Sequence, residues 1–181
     1  MSVPTIIAPV GVEEYLSNPA YEHCEYIDGQ VVELNVGTIS HGRIQVKCGR
    51  KLDEYFDAHP AGYAGTEIHC RLKIGGKIVF RLPDVAAVLG EVTDGRYLDR
   101  APDLVVEIRS PDDRLPAQFR KMDEYFENGA RLGWLILPEE KSAFVFTPNA
   151  PVRTVIFGEL LTGGDVLPGL EIPLESLLSR P

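Results

Sequence analysis

The chain has 181 residues, of which 44% are hydrophobic and 25% are charged, proportions typical of a folded globular protein rather than a disordered one. Its formal net charge of −9 excludes a protein that coats nucleic acid non-specifically, because such proteins depend on an excess of Lys and Arg. No apolar run is long enough to cross a bilayer, and the first residues lack the features of a signal peptide. We therefore expect a cytoplasmic protein without a membrane partner.

Helical periodicity and helix-end signals predict two main helices. The first is expected over residues 40–58, with Ser40 as its N-cap. The second is expected over residues 114–128, where apolar residues form one stripe and Gly129 serves as the C-cap. Shorter helices are expected at residues 12–17 and near the C-terminus.

Alternating or apolar segments bounded by turn residues predict a hairpin-rich set of strands. Asp28-Gly29 is the dipeptide that best fits a type I′ turn, and a polar loop contains Asp94-Gly95. The strands are expected at residues 24–27, 30–34, 63–74, 77–80, 84–89, 103–109, 132–137, 143–147 and, as an edge strand, 153–157. Together with the helices, they predict one α/β domain over residues 1–181, with a mixed, hairpin-rich β-sheet flanked by two main helices.

Several common functional motifs are absent. The sequence has no phosphate-binding or dinucleotide-binding glycine motif, no zinc-protease motif and no serine-hydrolase elbow, so no nucleotide cofactor is expected. The histidines at 23, 41, 59 and 69 share no helical ligand spacing, and we interpret each as an ordinary surface or core residue. The three cysteines contain no Cys-x-x-Cys pair and are expected to be reduced, buried thiols.

Glu107 is the anomalous residue of the central strand at residues 103–109. Side chains alternate along a strand, so Val105, Glu107 and Arg109 share one face. An acid in such an apolar strand is costly unless it is paired with a cation or bound to a metal. Pairing with Arg109 or another cation is one interpretation, and metal binding is the other.

Asp84 is the carboxylate that strand pairing could bring beside Glu107. Asp103 lies four residues from Glu107 on the same strand, about 13 Å away at 3.3 Å per residue. That separation is too large for one ion whose oxygen ligands lie about 2.0–2.6 Å away. Asp84 instead opens a neighbouring strand, so we expect Asp84 to be the candidate ligand and Asp103 to be structural.

Lys121 could add a positive charge to the same site. It lies beside the apolar stripe of the second main helix, on the same flank as Gln118 and Tyr125, and its long side chain could reach over the sheet edge. The alternative is an ordinary solvated lysine. Two carboxylates and a lysine would bind a divalent cation of the Mg²⁺ type and stabilise the charge that develops on a phosphodiester.

Several short segments, in a fixed order, carry a resemblance to a known family. They are Glu25-Tyr-Ile-Asp-Gly29, His41-Gly-Arg-Ile44, Arg81-Leu-Pro-Asp84-Val, Ala101-Pro-Asp-Leu-Val-Val-Glu107-Ile-Arg-Ser-Pro111, Lys121-x-x-x-Tyr125, Gly133-Trp-Leu-Ile-Leu-Pro138 and Gly163-Gly-Asp-Val-Leu-Pro-Gly169. The chain resembles the Uma-two family of restriction endonucleases, which is assigned to the PD-(D/E)XK nuclease superfamily. The resemblance covers about residues 12–178 and implies a restriction-endonuclease-like nuclease core.

The resemblance also implies a cofactor, a substrate and residue roles. Asp84 and Glu107 would be ligands of Mg²⁺ or Mn²⁺, Glu25 would be an additional acid near the metal, and DNA would be the substrate. The superfamily usually has a Lys two residues after the Glu, where this chain has Arg109. An Arg does not readily give up a proton, so the third catalytic role stays open between Lys121 and Arg109.

Two weaker assignments complete the candidate residues. Gln118 is a candidate for orienting water or phosphate. The basic residues on one face of the first main helix are a weak candidate for nucleic-acid contact, although such charge runs are usually solvated faces. They are Arg43, Lys47, Arg50 and Lys51.

The sequence therefore predicts a Mg²⁺-dependent endonuclease acting on DNA, and a homodimer is expected because cutting both strands of a two-fold site favours C₂ symmetry. Two alternatives stay open. One is a non-catalytic binding or assembly module with a nuclease fold, which the acidic balance and Arg109 favour. The other is a metal-dependent phosphohydrolase for small phosphate esters, for which a negative surface is less unfavourable.

Overall fold

The computed structural model describes residues 9–34, 37–91 and 95–179. The helices in these ranges are a short 3₁₀ helix (Pro19–Tyr21), α1 (Val12–Ser17), α2 (Ile39–Ala58), α3 (Leu115–Glu127) and α4 (Leu174–Leu178). The strands are β1 (Cys24–Ile27), β2 (Gln30–Glu33), β3 (Gly62–Gly65), β4 (Cys70–Ile74), β5 (Lys77–Arg81), β6 (Val85–Leu89), β7 (Leu104–Ile108), β8 (Leu132–Leu137), β9 (Ser142–Phe146), β10 (Arg153–Ile156), β11 (Leu160–Thr162) and β12 (Glu171–Pro173).

The described strands form three sheets rather than the single sheet expected from the sequence. Their orders are β2-β1-β5-β4, β10-β9-β8-β7-β6-β3 and β11-β12. In the six-stranded sheet, β7 and β8 are parallel and α3 connects them, whereas the other neighbouring pairs are antiparallel. The predicted α/β class, with mixed, hairpin-rich strands and two main helices, is confirmed.

The six-stranded sheet lies between two hydrophobic cores. Leu104, Val106 and Ile108 of β7 belong to the core that α2 and the C-terminal segment cover. Val105 belongs to the other core, which includes residues of α3, β4 and β5. Because side chains alternate along a strand, Glu107 lies on the same face as Val105, towards α3.

Helix α3 lies very close to the sheet at Gly133 in β8. A Cβ atom at this position would lie 3.1 Å from both Met122 Sδ and Phe126 Cε2, so these two side chains would have to move by a few tenths of an ångström. The small residue at position 133 therefore permits close packing of α3 on β8.

The first hairpin forms as the sequence predicts. Asp28 and Gly29 have φ angles of 51° and 85°, and a type I′ turn requires positive φ at both central positions. The prediction of one strand over residues 63–74 is wrong, because this segment is divided into β3 of one sheet and β4 of another. Glu67, between them, has a φ of 52°, a left-handed conformation that interrupts an extended strand.

Smaller differences concern the ends of elements. Helix α2 is capped by Thr38, whose Oγ1 accepts a hydrogen bond from the backbone N–H of His41, and not by Ser40. The β11–β12 hairpin was not predicted, because its strands have three residues each. The predicted polar loop at Asp94-Gly95 lies partly outside the described residues. The three cysteines are buried and free.

No helix in the described ranges combines the length and the apolar character needed to cross a bilayer.

Candidate functional site

Asp84 and Glu107 stand opposite each other at one end of the β6–β7 pair. Val85 of β6 pairs with Val106 of β7 in an antiparallel register, so the next positions along this pair are Asp84 and Glu107. Cross-strand partners point to the same face of a sheet. Both residues line a cavity of about 710 Å³, and this is the juxtaposition that the sequence argument required.

The carboxylate of Glu107 is buried and held at one oxygen. Its Oε1 accepts a hydrogen bond of 2.9 Å from the Tyr125 hydroxyl and lies 2.9 Å from Lys121 Nζ. Among the described residues, no group donates a hydrogen bond to Oε2. Burial raises the pKa of Glu107 to about 7; the nearby Lys121 opposes this rise, and the negative charges of Asp84 and Glu25 add to it.

The carboxylate of Asp84 is also held at one oxygen. Its Oδ2 accepts a hydrogen bond of 2.6 Å from the Ile108 backbone N–H and lies 3.2 Å from His41 Nε2. Within the described ranges, Oδ1 has no hydrogen-bond partner. Each of the two carboxylates therefore keeps one oxygen that could bind another group.

Lys121 joins Glu107 to a second buried acid, Glu25. Lys121 Nζ lies 3.0 Å from Glu25 Oε1, and Glu25 Oε2 lies 2.5 Å from Arg81 Nη1. Arg81 also contacts Glu124 at 2.7 Å. Lys121 is only 14% exposed, so the alternative of an ordinary solvated lysine does not describe it.

The two buried acids differ in their pKa values because they have different neighbours. Burial would raise the pKa of Glu25, but Lys121 and Arg81 outweigh burial and hold it below its usual value. Burial disfavours the charge on Lys121, but Glu107 and Glu25 outweigh that effect and raise its pKa. Lys121 and Glu25 are therefore both charged at neutral pH.

Arg109 and Gln118 have different positions relative to this cavity. Arg109 forms an ion pair with Glu140, and its Nε donates to the backbone carbonyl of Asp113 at 3.3 Å. It does not appear among the described residues that line the cavity. Gln118 does line the cavity, and its Oε1 is buried without a hydrogen-bond partner in the described structure.

Helix α2 carries the basic residues that were predicted as a weak nucleic-acid contact: Arg43, Lys47, Arg50 and Lys51. Three of them are engaged within the chain. Lys47 Nζ donates to backbone carbonyls at the end of α4, including that of Ser179 at 2.8 Å. Arg50 and Lys51 both pair with Glu54, at 2.7 and 2.9 Å. Arg43 forms no ion pair with any described residue.

Asp103 lies away from the cavity and has a structural role, as predicted. Its Oδ2 accepts hydrogen bonds of 2.9 Å from the Leu89 backbone N–H and from Arg100. These contacts hold the start of β7 against the end of β6.

His41 and Tyr125 are the site residues that the sequence analysis did not assign. His41 contacts Asp84 from the first turn of α2; this contact raises its pKa, although burial opposes the rise. Tyr125 is completely buried and donates to Glu107. A usable signal for Tyr125 was its position four residues after Lys121, since residues at this spacing lie on the same helical face. For His41, the only signal was its place in one of the family-like segments.

More acidic than basic side chains line the cavity, but the described acids are not arranged as a preformed metal-binding site. In residues 9–34, 37–91 and 95–179, no group of three or more His, Cys, Asp or Glu side chains is arranged to hold an ion. A cation here would therefore rest on two carboxylates and on water. The acidic residues lining the cavity are Glu25, Glu33, Glu67, Asp84, Glu107, Asp113 and Glu124, and the permanently basic ones are Arg81, Arg120 and Lys121.

The fold is shared with a solved structure. A crystal structure from Anabaena variabilis ATCC 29413, titled "a putative nuclease belonging to DUF820", is similar with a TM-score of 0.79 and 23% sequence identity. The match covers 94% of this chain and 98% of that chain. At this level of identity, the likeness shows that the two proteins share a fold.

The family is identified by sequence. The family Uma2, described as "Putative restriction endonuclease", matches residues 12–175, and the chain belongs to this family. The resemblance found in the sequence is confirmed. A comparison with curated proteins finds no match.

Proposed function

We propose that this protein is an endonuclease that hydrolyses DNA phosphodiester bonds with Mg²⁺ or Mn²⁺ as cofactor. The observation that carries the proposal is the meeting of Asp84, Glu107 and Lys121 at one cavity. Membership of a family described as restriction endonucleases supports the nuclease assignment.

Asp84 and Glu107 would hold the cation. Carboxylate oxygens and water are the ligands that Mg²⁺ prefers, and Mn²⁺ also accepts them. The charges that line the cavity support this fit, because seven carboxylates face three permanent cations there. A bound divalent cation supplies a water of lowered pKa and stabilises negative charge on a phosphodiester.

Lys121 would neutralise charge on the phosphate rather than act as a base. Its raised pKa keeps the ammonium group protonated. Two of its three N–H donors are directed to Glu107 and Glu25, which leaves a third for a phosphate oxygen or a water. Arg109 pairs with Glu140 instead, so we assign the third catalytic role to Lys121.

Glu25 would hold Lys121 in place. Both of its carboxylate oxygens contact cations, one from Lys121 and one from Arg81. The proposal therefore leaves Glu25 out of the ligand set, although the family resemblance placed an acid near the metal. Gln118, whose buried Oε1 lacks a partner in the described structure, would accept a hydrogen bond from a water in the cavity.

DNA would contact the protein over a small patch beside the cavity. Arg120 lines the cavity, and Arg43 has no ionic partner among the described residues. The proposal includes a homodimer, since two active sites related by C₂ symmetry suit the cutting of both strands. Sedimentation equilibrium tests this part, and a monomer at the concentrations that support cleavage would contradict it.

A second candidate is a metal-dependent phosphohydrolase acting on small phosphate esters. The observation that favours it is the engagement of Lys47, Arg50 and Lys51 within the chain, which leaves little free positive charge for a long polyanion. The same metal site would serve both reactions. Parallel assays with nucleotides and with DNA distinguish the two candidates.

The proposal is tested by cleavage of supercoiled plasmid with purified protein and Mg²⁺ or Mn²⁺. The wild-type protein is compared with Asp84→Asn and Glu107→Gln, and Glu127→Gln provides a control because Glu127 is an exposed acid on the same helix as Lys121. We expect cleavage by the wild type and the control, and loss in both site variants and in chelator.

Equal cleavage by all four proteins would overturn the proposal. Binding of Mn²⁺ without hydrolysis of any substrate would instead favour the non-catalytic module.

A further inference from the structure

Helix α2 contacts Asp84 at two points. His41 Nε2 lies 3.2 Å from the carboxylate oxygen Oδ2, and Gln45 Nε2 donates a hydrogen bond of 3.0 Å to the backbone carbonyl of Asp84. The two contacts come from residues four apart, which lie one above the other on a helix. Helix α2 therefore holds both the backbone and the side chain of this residue.

The contact of His41 fixes one oxygen of Asp84. Oδ2 also accepts the N–H of Ile108 at 2.6 Å, so this hydrogen bond and the contact with His41 meet at the same atom. Oδ1 has no hydrogen-bond partner in the described ranges. These two contacts restrain Oδ2 and leave Oδ1 as the carboxylate oxygen that can bind a ligand.

The start of α2 fixes the backbone of His41 and leaves space for its ring. The backbone N–H of His41 is bound to Thr38 Oγ1 at the helix start. A Cβ atom at Gly37 would lie 2.8 Å from His41 Nδ1, so the small residue makes room for the ring. With Nε2 facing a carboxylate, that nitrogen carries the proton and acts as donor in either charge state of the ring.

We propose that His41 is a positioning residue that orients Asp84 so that Oδ1 binds the cation. This inference rests on the proposed function, because it assigns a role at the same site. His41 acts through Asp84 and is not itself a ligand, because its Nε2 faces the carboxylate oxygen Oδ2. Groups that bind a ligating side chain typically change metal affinity by about 10–100-fold when removed.

The test is isothermal titration of Mn²⁺ alone into the wild-type protein and into His41→Ala and His41→Gln. We expect Mn²⁺ to bind the alanine variant about 10–100-fold more weakly. The glutamine variant should recover most of that affinity, because its amide N–H can replace Nε2–H. His23→Ala is the matched control, since His23 lines the same cavity but pairs with Glu67, and it should bind as the wild type does.

Echo-modulation spectroscopy of Mn²⁺ on the wild-type protein provides a second readout that needs no variant. We expect no modulation from a coordinated imidazole nitrogen. Such a modulation would make His41 a ligand and overturn the positioning role.

The outcomes separate this inference from the proposed function. No Mn²⁺ binding by the wild type would overturn both. Binding by the wild type with unchanged affinity in His41→Ala would overturn the positioning role alone. Loss of affinity in His41→Ala without recovery in His41→Gln would also contradict it, provided that both variants unfold at the wild-type temperature.

Discussion

Lys121 Nζ lies 2.9 Å from Glu107 Oε1, and both side chains are almost fully buried. A buried ion pair is weak grounds for stability, because removing two charges from water costs about as much as their attraction returns. Here Glu25 also contacts the ammonium group of Lys121, at 3.0 Å, so two carboxylates share one positive charge. Because Arg81 also pairs with Glu25, the surplus of negative charge comes from the other acids that line the cavity, Asp84 among them, and a divalent cation would compensate it.

The affinity for Mn²⁺ should depend on pH through Glu107. Burial raises the pKa of this carboxyl to about 7, and a carboxylate must be deprotonated to bind a metal. Below this value, affinity should rise by about tenfold per pH unit, and above it the affinity should level off. Titration calorimetry in buffers of different ionisation enthalpy should show that binding releases a proton under acidic conditions. An affinity that is flat on both sides of this pKa would contradict the assignment.

The same pKa makes a prediction for stability. Because the pKa of Glu107 is higher in the folded state than its ordinary value of 4.5, the protonated carboxyl stabilises the folded state. This contribution to the free energy of unfolding is fully present below a pH of 4.5 and is lost as the pH rises through about 7. Glu107→Gln should not lose this stability with rising pH, because the glutamine side chain does not titrate. Relative to the wild type, the variant should therefore gain roughly 1–3 kcal/mol of stability between acidic pH and a pH of about 8.

Urea unfolding of the wild type and Glu107→Gln at acidic and alkaline pH measures this effect. The gain should shrink towards acid pH. An identical pH dependence in both proteins would show that Glu107 does not titrate in this range.

Glu25→Gln should have the opposite effect on stability. It leaves Lys121 and Arg81 buried without one of their shared partners, and breaking a buried pair from one side costs about 3–5 kcal/mol. Glu54→Gln is the matched control, since Glu54 pairs with Arg50 and Lys51 on the surface, and it should leave the free energy of unfolding unchanged. Equal effects of the two substitutions in urea unfolding would refute the structural role of Glu25.

Lys121 and Arg109 should differ in their effects on cleavage. Lys121→Gln removes the ammonium group beside Glu107 and should lower the cleavage rate by about 10²–10³, as expected for loss of a group that stabilises transition-state charge. Arg109→Gln should retain cleavage, because Arg109 pairs with Glu140. Single-turnover rates on plasmid measure both variants, and the reverse ranking would assign the catalytic role to Arg109.

The site could be predicted from sequence where its geometry follows local rules. Alternation along β7 placed Glu107 on the face opposite Leu104, Val106 and Ile108, and antiparallel pairing brought Asp84 beside it. Helical periodicity placed Lys121 beside the buried stripe of α3. These assignments required only strand and helix geometry, together with the resemblance in sequence.

The remaining features depend on contacts between distant segments. The proposed preference for Lys121 over Arg109 rests on Glu140, which pairs with Arg109 from 31 residues away, and no local pattern encodes that pair. The contact of His41 with Asp84 depends on how α2 packs beside the sheet. The division of residues 63–74 between two sheets depends on a left-handed residue, Glu67, whose conformation is unusual for a side chain of this type.

The most direct test of the account is a crystal of the wild-type protein soaked in Mn²⁺ and measured for anomalous scattering. We predict one peak between Asp84 Oδ1 and Glu107 Oε2, with water completing the coordination and Lys121 still beside Glu107. A peak on other residues, or none between these two carboxylates in a crystal whose cavity is open to solvent, would contradict the central claim.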